Sequence, residues 1–290
     1  MKMNNIDLVI PTINYKDKVW RDTFLKYAMR HNPKQVASMN GVRFNDELDL
    51  FTYQIKLIEK NMPWIDRIFI LLSNKEQMPS YLPKNAIVVY HSDFIPPKFL
   101  PTFNSTTIEM FLWNIKELGE RFIYANDDML PLKPLKISDF FTQKHIKINF
   151  LERDFSTRDT MYQYQCHNSY SHLLDRLNIQ ALKNHYIYPQ HSFTPMYKSH
   201  CKETFELLQQ DILPKIRAFR TNEQHNQYIY PIYEHLVYGT LDSKIKFLYT
   251  QLLEPNLIDL VKESDIICPN VIKDKKKALL LKEYLDELCK

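Results

Sequence analysis

The sequence predicts an α/β protein: a sheet with helices on its faces, followed by a mainly helical C-terminal half. Short apolar runs alternate with segments of helical periodicity over residues 1–150, and helical periodicity dominates residues 151–290. The chain has 290 residues, of which 44% are hydrophobic and 25% charged, so it is a globular protein with a substantial core. We expect the second part to complete the site of the first within one unit.

Five short apolar runs are the expected strands, because turns or polar residues bound them. They cover residues 6–10, 67–72, 86–90, 121–125 and 145–150. In α/β sheets, ligands bind at the carboxyl ends of the strands. The polar residues that follow the first and the fourth of these strands therefore mark the expected site.

The expected helices carry apolar residues at steps of three and four. Asn45 and Asp46 are the expected caps of the first helix, which ends before Pro63. Ser105 is the expected cap of a second helix that runs to Leu118. The helices of the C-terminal half cover residues 169–184, 199–213, 222–238 and 275–289.

Composition and charge exclude several classes of protein. No apolar stretch approaches the ~18 residues that a membrane-spanning helix needs. The net charge of +4 is small and dispersed, unlike that of a dedicated nucleic-acid-binding protein. The three glycines, Gly41, Gly119 and Gly239, are isolated, which excludes a dinucleotide-binding fingerprint and a P-loop. A phosphate group would therefore be bound by side chains, a metal ion or helix ends.

The termini bear on localisation. The apolar stretch before Pro11 is shorter than the core of a signal peptide, so we expect a cytoplasmic protein. The four cysteines form no CxxC pair, which indicates reduced thiols. Lys273, Lys275, Lys276 and Lys277 lie at the start of the last helix. They form either a solvated helix start or a peripheral contact with the inner face of the cytoplasmic membrane.

Asn126, Asp127 and Asp128 directly follow the fourth strand. Adjacent carboxylates repel each other, and a divalent cation with oxygen ligands offsets this repulsion. The motif therefore predicts a site for Mg²⁺ or Mn²⁺ on Asp127 and Asp128. The alternative is a strand-end turn in which these side chains bond only to local backbone.

Further candidates for acid–base chemistry and phosphate binding lie outside this motif. Glu109 lies in the first turns of its helix, where free backbone N–H groups can also bind an anion. His191 has a side chain suited to general acid or base catalysis. The alternative for Glu109 is ordinary helix capping, and the alternative for His191 is ordinary packing. The basic candidates for contacts with phosphoryl oxygens are Arg43, Lys198, Arg217 and Arg220.

Residues 43–74, 91–109 and 121–130 resemble the second conserved region of the Stealth family, because the motifs PWI, LPTFNS and NDD occur in the family's order. The opening IDLVIPTIN resembles the first region, HSFTPMYKSH with RAFRTNEQ resembles the third, and ICPNVIKD resembles the fourth. The third and fourth regions match more loosely. Residues 12–15 lack the Trp and the Gly of the family's first region, a departure that bears on how the nucleotide base is held.

The resemblance implies an activity and a type of sheet. Stealth proteins are capsule and exopolysaccharide sugar-phosphate transferases related to the catalytic region of GlcNAc-1-phosphotransferase. The chain would then have a nucleotide-sugar-binding sheet, glycosyltransferase A-like or Rossmann-like. It would transfer a hexose-1-phosphate, with an N-acetylhexosamine as the expected sugar, from a UDP-sugar to a glycan hydroxyl and release UMP. The acceptor would be an oligosaccharide or polysaccharide, free or lipid-linked, and no nucleic acid is expected as a partner.

The resemblance also implies roles for single residues. Asp127 and Asp128 would hold the cation, and Arg220 with Arg43 would lie near the phosphates. His191 would accept the proton of the acceptor hydroxyl, with Glu109 as its competitor. The residues expected to bind substrate or phosphate oxygens are Asn14, Asn45, Asn104, Ser105 and Asn126.

Two other functions remain open. A metal-dependent glycosyltransferase would break the bond at the anomeric carbon and release UDP. A glycan-binding or scaffold protein would catalyse nothing, since a fold does not fix a function.

Overall fold

The computed structural model describes residues 5–36, 48–154, 156, 158–180, 185–270 and 274–290. Its strands are β1 (Asp7–Pro11), β2 (Ile68–Leu72), β3 (Ala86–Tyr90), β4 (Arg121–Tyr124), β5 (Leu130–Pro131), β6 (Phe150–Asp154), β7 (His185–Pro189), β8 (Thr194–Tyr197), β9 (Phe247–Thr250) and β10 (Ile266–Pro269). Its α-helices are α1 (Lys18–His31), α2 (Leu50–Asn61), α3 (His91–Phe94), α4 (Ser105–Glu109), α5 (Met161–Leu177), α6 (Lys198–Ile212), α7 (Ile229–Val237), α8 (Leu257–Glu263) and α9 (Lys275–Leu288).

A five-stranded sheet forms the centre of the molecule, with the strand order β3–β2–β1–β4–β8. The first four strands are parallel, and β8 is antiparallel to β4. Leu8 of β1 pairs with Ile68 on one side and with Ile123 on the other. The strand order reverses between β1 and β4, so their carboxyl ends meet where doubly wound sheets bind ligands.

Both faces of this sheet are covered, which explains its continuous apolar strands. Side chains alternate between the faces along each strand. Leu8 and Ile10 of β1 pack in one cluster with Ile55 and Ile58 of α2. Val9 lies in the other cluster, to which α5, α6 and α7 contribute. The predicted α/β class, a sheet with helices on its faces, is confirmed.

Two smaller sheets surround the central one. Strand β10 is antiparallel to β5 and parallel to β9, and β6 pairs with β7. Because β5 begins at Leu130, two residues after Asp128, this small sheet brings the end of β10 to the turn that follows β4. No helix in the described ranges has the length and the apolar run needed to cross a bilayer.

The four strands expected at residues 6–10, 67–72, 86–90 and 121–125 are confirmed to within one residue. The strand expected at residues 145–150 is wrong, because Ile146 and Lys147 form only isolated bridges and the strand is β6. The first predicted helix is α2, and Asp49 caps it. Its predicted caps, Asn45 and Asp46, lie outside the described residues.

The helix expected from Ser105 to Leu118 is wrong in its cap and in its length. Asn104 is the cap, since its side chain accepts a hydrogen bond from the backbone N–H of Thr106. Helix α4 ends at Glu109 because the Tyr230 hydroxyl donates to the carbonyl oxygens of Glu109 and Met110, at 3.1 and 3.0 Å. A continuing helix would need those two acceptors for its own backbone.

The C-terminal half contains more helix than strand, as predicted, and the short strands β6 to β10 also lie in it. Helices α6 and α9 confirm their predicted ranges to within one residue. Helix α5 begins earlier than predicted, because Thr160 caps it, and it ends at Asn178, where the backbone turns left-handed. Residues 222–228 lie in a turn, so that helix is α7 alone. Strand β8 joins this half to the central sheet.

An ion pair between the buried Asp7 and the half-buried Arg67 fixes the amino-terminal end of β1. The carboxylate of Asp7 accepts from Arg67 at 3.0 and 2.7 Å and from the backbone N–H of Gly119 at 2.7 Å. A Cβ atom at Gly119 would lie 2.9 Å from Asp7 Oδ2, so the close approach requires glycine.

We expect Asp7→Ala to lower the free energy of unfolding by about 1–3 kcal/mol, because the half-buried Arg67 and the backbone N–H of Gly119 lose the buried carboxylate that accepts from them. Urea unfolding followed by circular dichroism measures this. Asp66→Ala is the control, since Asp66 is exposed and its side chain accepts from the exposed Asn5, and it should change stability by less than about 0.5 kcal/mol. Equal losses in the two variants would contradict this account of the β1 end.

Candidate active site

The turn after β4 is held by a buried side chain of α2. Gln54 Nε2 donates to the carbonyl oxygens of Asn126 and Met129, at 2.6 and 2.8 Å. These two hydrogen bonds therefore fix the backbone of the turn. The side chains of the NDD motif contact residues that are distant in the sequence. A turn bonded only to local backbone would not make these contacts.

Asp127 joins the ends of the two central strands. Thr12, the residue after β1, donates its hydroxyl to Asp127 Oδ2 at 2.9 Å. Thr12 is buried and Asp127 is half-buried, so this hydrogen bond is partly shielded from water. The contact lies at the reversal of strand order, where the sequence predicts the site.

Asp128 lies in a group of three side chains that could hold a metal ion. One ligand atom each from Asp128, His191 and Cys268 lies within 4.8 Å of the other two. Asp128 Oδ2 accepts from Asn270 at 3.5 Å, whereas Oδ1 is buried and has no hydrogen-bond partner among the described residues. A buried carboxylate oxygen without a donor is costly, and a cation would satisfy it.

The donor set fits a divalent cation. Carboxylate oxygen suits Mg²⁺ and Mn²⁺, imidazole nitrogen suits later transition metals, and thiolate sulfur suits softer ions. The sequence predicts Asp127 and Asp128 as ligands. The structure places Asp128 in the group, and a ligand role for Asp127 stays a prediction.

His191 is held by a polar residue on each side of its ring. Its Nε2 lies 3.2 Å from Asn126 Nδ2, and its Nδ1 lies 2.8 Å from the Tyr228 hydroxyl. The rings of Tyr162 and Tyr249 meet the imidazole edge to face. The structure thus brings His191 to the NDD motif, about 65 residues away in sequence.

Glu109 is a buried carboxylate surrounded by donors. Tyr124 donates its hydroxyl to Oε1 at 3.2 Å, and the backbone N–H of Gln227 donates to Oε2 at 3.0 Å. The Gln227 side chain, with its amide nitrogen towards the carboxylate, also donates to Oε2 at 2.8 Å. Burial raises the pKa of Glu109, and the charge of Arg220 opposes this rise. Glu109 is not the cap of its helix.

Arg220 lies beside the first turn of α4. Its Nη2 donates to Ser105 Oγ at 2.6 Å, and its side chain is exposed. The neighbouring Phe219 stacks on Phe103, with ring centroids 5.5 Å apart, and so anchors the loop. Arg220 and Ser105 therefore form an exposed polar pair next to the buried Glu109.

Two of the basic candidates have structural roles. Lys198 Nζ donates to the carbonyl oxygens of Ile115 and Leu118, at the end of the sheet opposite to the NDD motif. Arg217 donates to the carbonyl oxygens of Pro214 and Ile216. The Lys198 ammonium group thus lies away from the candidate site, which corrects its selection as a phosphate-binding candidate, whereas a phosphate contact of Arg217 stays a prediction.

The remaining predicted binding residues fall into three cases. Asn104 is fully buried, and its amide donates to the Arg217 carbonyl and to Gln224, so it is a structural residue. Asn14 is exposed beyond the end of β1. Arg43 and Asn45 lie outside the described residues.

Several residues of the site were missed in the sequence. Thr12 lies in the segment that departs from the family's first region, and Gln54 lies in the first predicted helix. Cys268 lies in the ICPNVIKD segment, which could have pointed to it. Gln227 and Tyr228 are consecutive buried residues that reach Glu109 and His191 respectively. Only their nearness to the RAFRTNEQ segment could have pointed to them.

Comparison with known proteins agrees with the motifs. Residues 43–149 match a family model described as Stealth protein CR2, conserved region 2. The capsular polysaccharide phosphotransferase fcs1 of Haemophilus influenzae is 37% identical over 160 residues, 54% of this chain and 43% of that protein. LcbA of Aeromonas hydrophila, also a capsular polysaccharide phosphotransferase, is 32% identical over 235 residues, 76% of this chain and 62% of that protein.

The capsular polysaccharide phosphotransferase cps1A of Actinobacillus pleuropneumoniae is 30% identical over 237 residues, 78% of this chain and 64% of that protein. The chain thus spans between 43% and 64% of the length of these three relatives. A crystal structure of the galactosyltransferase LgtC, with donor and acceptor sugar analogues, overlays with a TM-score of 0.47 at 11% identity. That overlay covers 98% of this chain and 95% of the LgtC chain.

The raised pKa of Glu109 gives a prediction about stability and pH. The folded state holds the proton more tightly than the unfolded state, whose carboxyl titrates near the ordinary value of 4.5. The wild type should therefore lose stability relative to Glu109→Gln as pH rises from about 4.5 through the higher folded pKa. Urea unfolding of both proteins between pH 4.5 and 8 measures this difference. Glu117→Gln, at an exposed position, should show no such trend, and a constant difference for Glu109→Gln would contradict the assignment.

Proposed function

This chain belongs to the Stealth family, and we propose that it transfers a sugar phosphate from a nucleotide sugar to a glycan hydroxyl. In detail, the donor would be a UDP-sugar, with an N-acetylhexosamine as the expected sugar, and UMP would leave. The observation that carries the proposal is the meeting of Asn126, Asp128 and His191 at the reversal of strand order. This edge is where a nucleotide would bind in a doubly wound sheet.

The proposed reaction is one displacement at phosphorus. The acceptor oxygen forms a bond to the sugar-proximal phosphorus, and the phosphoanhydride bond breaks so that UMP leaves with the bonding electrons. The proton of the acceptor hydroxyl passes to a base on the protein. Positioning and charge neutralisation dominate such transfers. Side chains must supply both, since no glycine-rich loop is present in the sequence.

His191 is the proposed base. Its Nε2 faces the amide of Asn126, next to the two aspartates, and its other nitrogen is held by Tyr228. Glu109 is the weaker candidate, because Tyr124 and Gln227 already occupy both of its carboxylate oxygens. We assign Glu109 the role of placing the segment that carries Gln227 and Tyr228.

Asp128 is the proposed holder of a divalent cation, with Asp127 beside it. The chemistry that such a cation supplies is neutralisation of diphosphate charge. Arg220 is exposed beside Ser105, and we assign it to phosphate oxygens, which its guanidinium can contact in a two-pronged way. Asn126 would orient substrate oxygens while it holds His191.

The nucleotide that leaves tests the proposal. Purified protein is incubated with a panel of UDP-N-acetylhexosamines, Mg²⁺ or Mn²⁺ and an oligosaccharide acceptor, and the products are separated by anion-exchange chromatography. UMP with a new phosphodiester is the expected outcome. Release of UDP would instead establish a glycosyltransferase, and acceptor binding without any nucleotide release would establish a glycan-binding protein.

We expect Asp128→Asn and His191→Ala to lower kcat by at least about 100-fold, because charge neutralisation and proton transfer each contribute this much. Asp259→Asn is the matched control, at an exposed position of α8 away from the NDD turn. Loss of activity in the control as well would point to instability rather than chemistry, and full activity of Asp128→Asn would remove the aspartate from the mechanism.

Cation binding has a readout that is independent of turnover. Binding of Mn²⁺ is followed by electron paramagnetic resonance of the free ion, with the full chain and no substrate. Asp128→Asn should weaken binding, since Oδ1 is a buried oxygen to which no group in the described part of the chain donates. Asp259→Asn should bind as the wild type does. Unchanged affinity in Asp128→Asn would place the cation elsewhere.

We also propose that the protein reaches lipid-linked acceptors through peripheral contact with an anionic membrane. The first two turns of α9 expose Lys275, Lys276, Leu279 and Leu280, so they combine positive charge with apolar surface. Flotation with vesicles that contain phosphatidylglycerol should recover the protein, and Lys275→Glu with Lys276→Glu should abolish recovery. Equal flotation with neutral phosphatidylcholine vesicles would remove the electrostatic part of this proposal.

A further inference from the structure

We propose that the ring of Tyr249 is a platform on which the hexose of the nucleotide sugar stacks. This inference deepens the proposed function and rests on it, since it gives the sugar of that donor a place beside the NDD turn. The ring would bind the sugar through its face and take no part in the bond that breaks.

Tyr249 is an exposed aromatic residue at the edge of the candidate site. It is 45% exposed, and its ring meets the imidazole of His191 at 73°, with centroids 6.2 Å apart. Tyr238 is the other aromatic residue with such exposure in the described part of the chain, and its ring is stacked on His200. A tyrosine ring has an apolar face and a polar hydroxyl, which suits a ligand with both kinds of surface.

Strand register places Tyr249 beside the group of three possible metal ligands. Strand β9 is parallel to β10, and Tyr249 pairs with Cys268. Cys268 lies with Asp128 and His191 in that group. Phe247, two residues before Tyr249, packs in the same cluster as Cys268, so these side chains share one face of the small sheet.

Hydrogen bonds fix the end of β9 against the NDD turn. The backbone N–H of Asn270 donates to the carbonyl oxygen of Thr250 at 3.1 Å, and Asn270 Nδ2 donates to Asp128 Oδ2 at 3.5 Å. Thr250 is buried, and its hydroxyl donates to Glu254 and accepts from the backbone N–H of Leu252. The backbone that carries the platform is therefore ordered before a substrate binds, which lowers the entropy cost of binding.

The position of Tyr249 favours the hexose over the uridine. The nucleotide is expected at the carboxyl ends of β1 and β4 in the central sheet. Strand β9 belongs instead to the small sheet, where β10 separates it from β5. The hexose is bonded to the phosphate that is farther from the uridine, so it is the part of the donor that would reach this second sheet.

The chemistry of a hexose fits an aromatic platform. A pyranose ring presents C–H groups on its faces and hydroxyl groups around its rim. The C–H groups can lie on the face of Tyr249, and removal of both apolar surfaces from water stabilises the contact. The tyrosine hydroxyl is not needed for this contact, so another aromatic side chain should support it and an aliphatic one should not.

The test separates binding of the sugar from binding of the nucleotide. Isothermal titration calorimetry of the full chain with Mg²⁺, without acceptor, compares UDP with a panel of UDP-hexoses and UDP-N-acetylhexosamines. For the UDP-sugar that the wild type binds most tightly, Tyr249→Ala should raise Kd about tenfold and leave the Kd of UDP within about twofold. Tyr249→Leu should behave as Tyr249→Ala does, and Tyr249→Trp should bind the UDP-sugar as the wild type does.

Tyr238→Ala is the matched control. Tyr238 is 40% exposed, and it caps the end of α7 opposite to Tyr228. This variant should leave both values of Kd unchanged. Unchanged affinity for the UDP-sugar in Tyr249→Ala would overturn the inference, and so would an equal loss for UDP and the UDP-sugar. A change confined to KM for the acceptor glycan would overturn it as well, since the ring would then contact the acceptor.

Binding is measured without turnover, so the two proposals fail separately. Release of UDP instead of UMP, with a loss specific to the sugar in Tyr249→Ala, would overturn the proposed function and leave the platform intact. Release of UMP, with binding of the UDP-sugar that ignores Tyr249→Ala, would do the reverse.

Discussion

The parallel pairing of β1 with β4 is the constraint on which the candidate site depends. Val9 pairs with Tyr124, and this register sets the residue after β1 against the turn after β4. Thr12 can then donate to Asp127. A slip of one residue would turn the polar side chains of the turn to the other face of the sheet. The buried core on both faces opposes such a slip.

The second element of the site is the buried polar segment that precedes α7. Three of its residues each bind a different partner: Gln224 binds Asn104, Gln227 binds Glu109, and Tyr228 binds His191. One short segment therefore places both groups that were candidates for proton transfer. Because the residues of this segment are buried, a substitution in it is expected to act on the site and on stability together.

Periodicity predicted the central strands, since buried parallel strands are apolar along their whole length. It failed where tertiary contacts decide the outcome. The end of α4 depends on a hydroxyl from Tyr230, about 120 residues away, which no local pattern contains. Asp128 and His191 were both selected from the sequence, but only the fold shows that Cys268 lies with them. The roles of Arg43 and Asn45 stay predictions.

We propose that Asp127 and Asp128, in the turn after β4, bind a cation together with the diphosphate of a nucleotide sugar. A crystal structure with Mn²⁺ and a non-reactive UDP-sugar analogue tests this most directly, through the anomalous signal of manganese. We expect an anomalous peak within bonding distance of Asp128 Oδ1, with the diphosphate beside it and the uridine at the carboxyl ends of β1 and β4. A nucleotide bound elsewhere, with Asp128 turned away from it, would contradict this proposal.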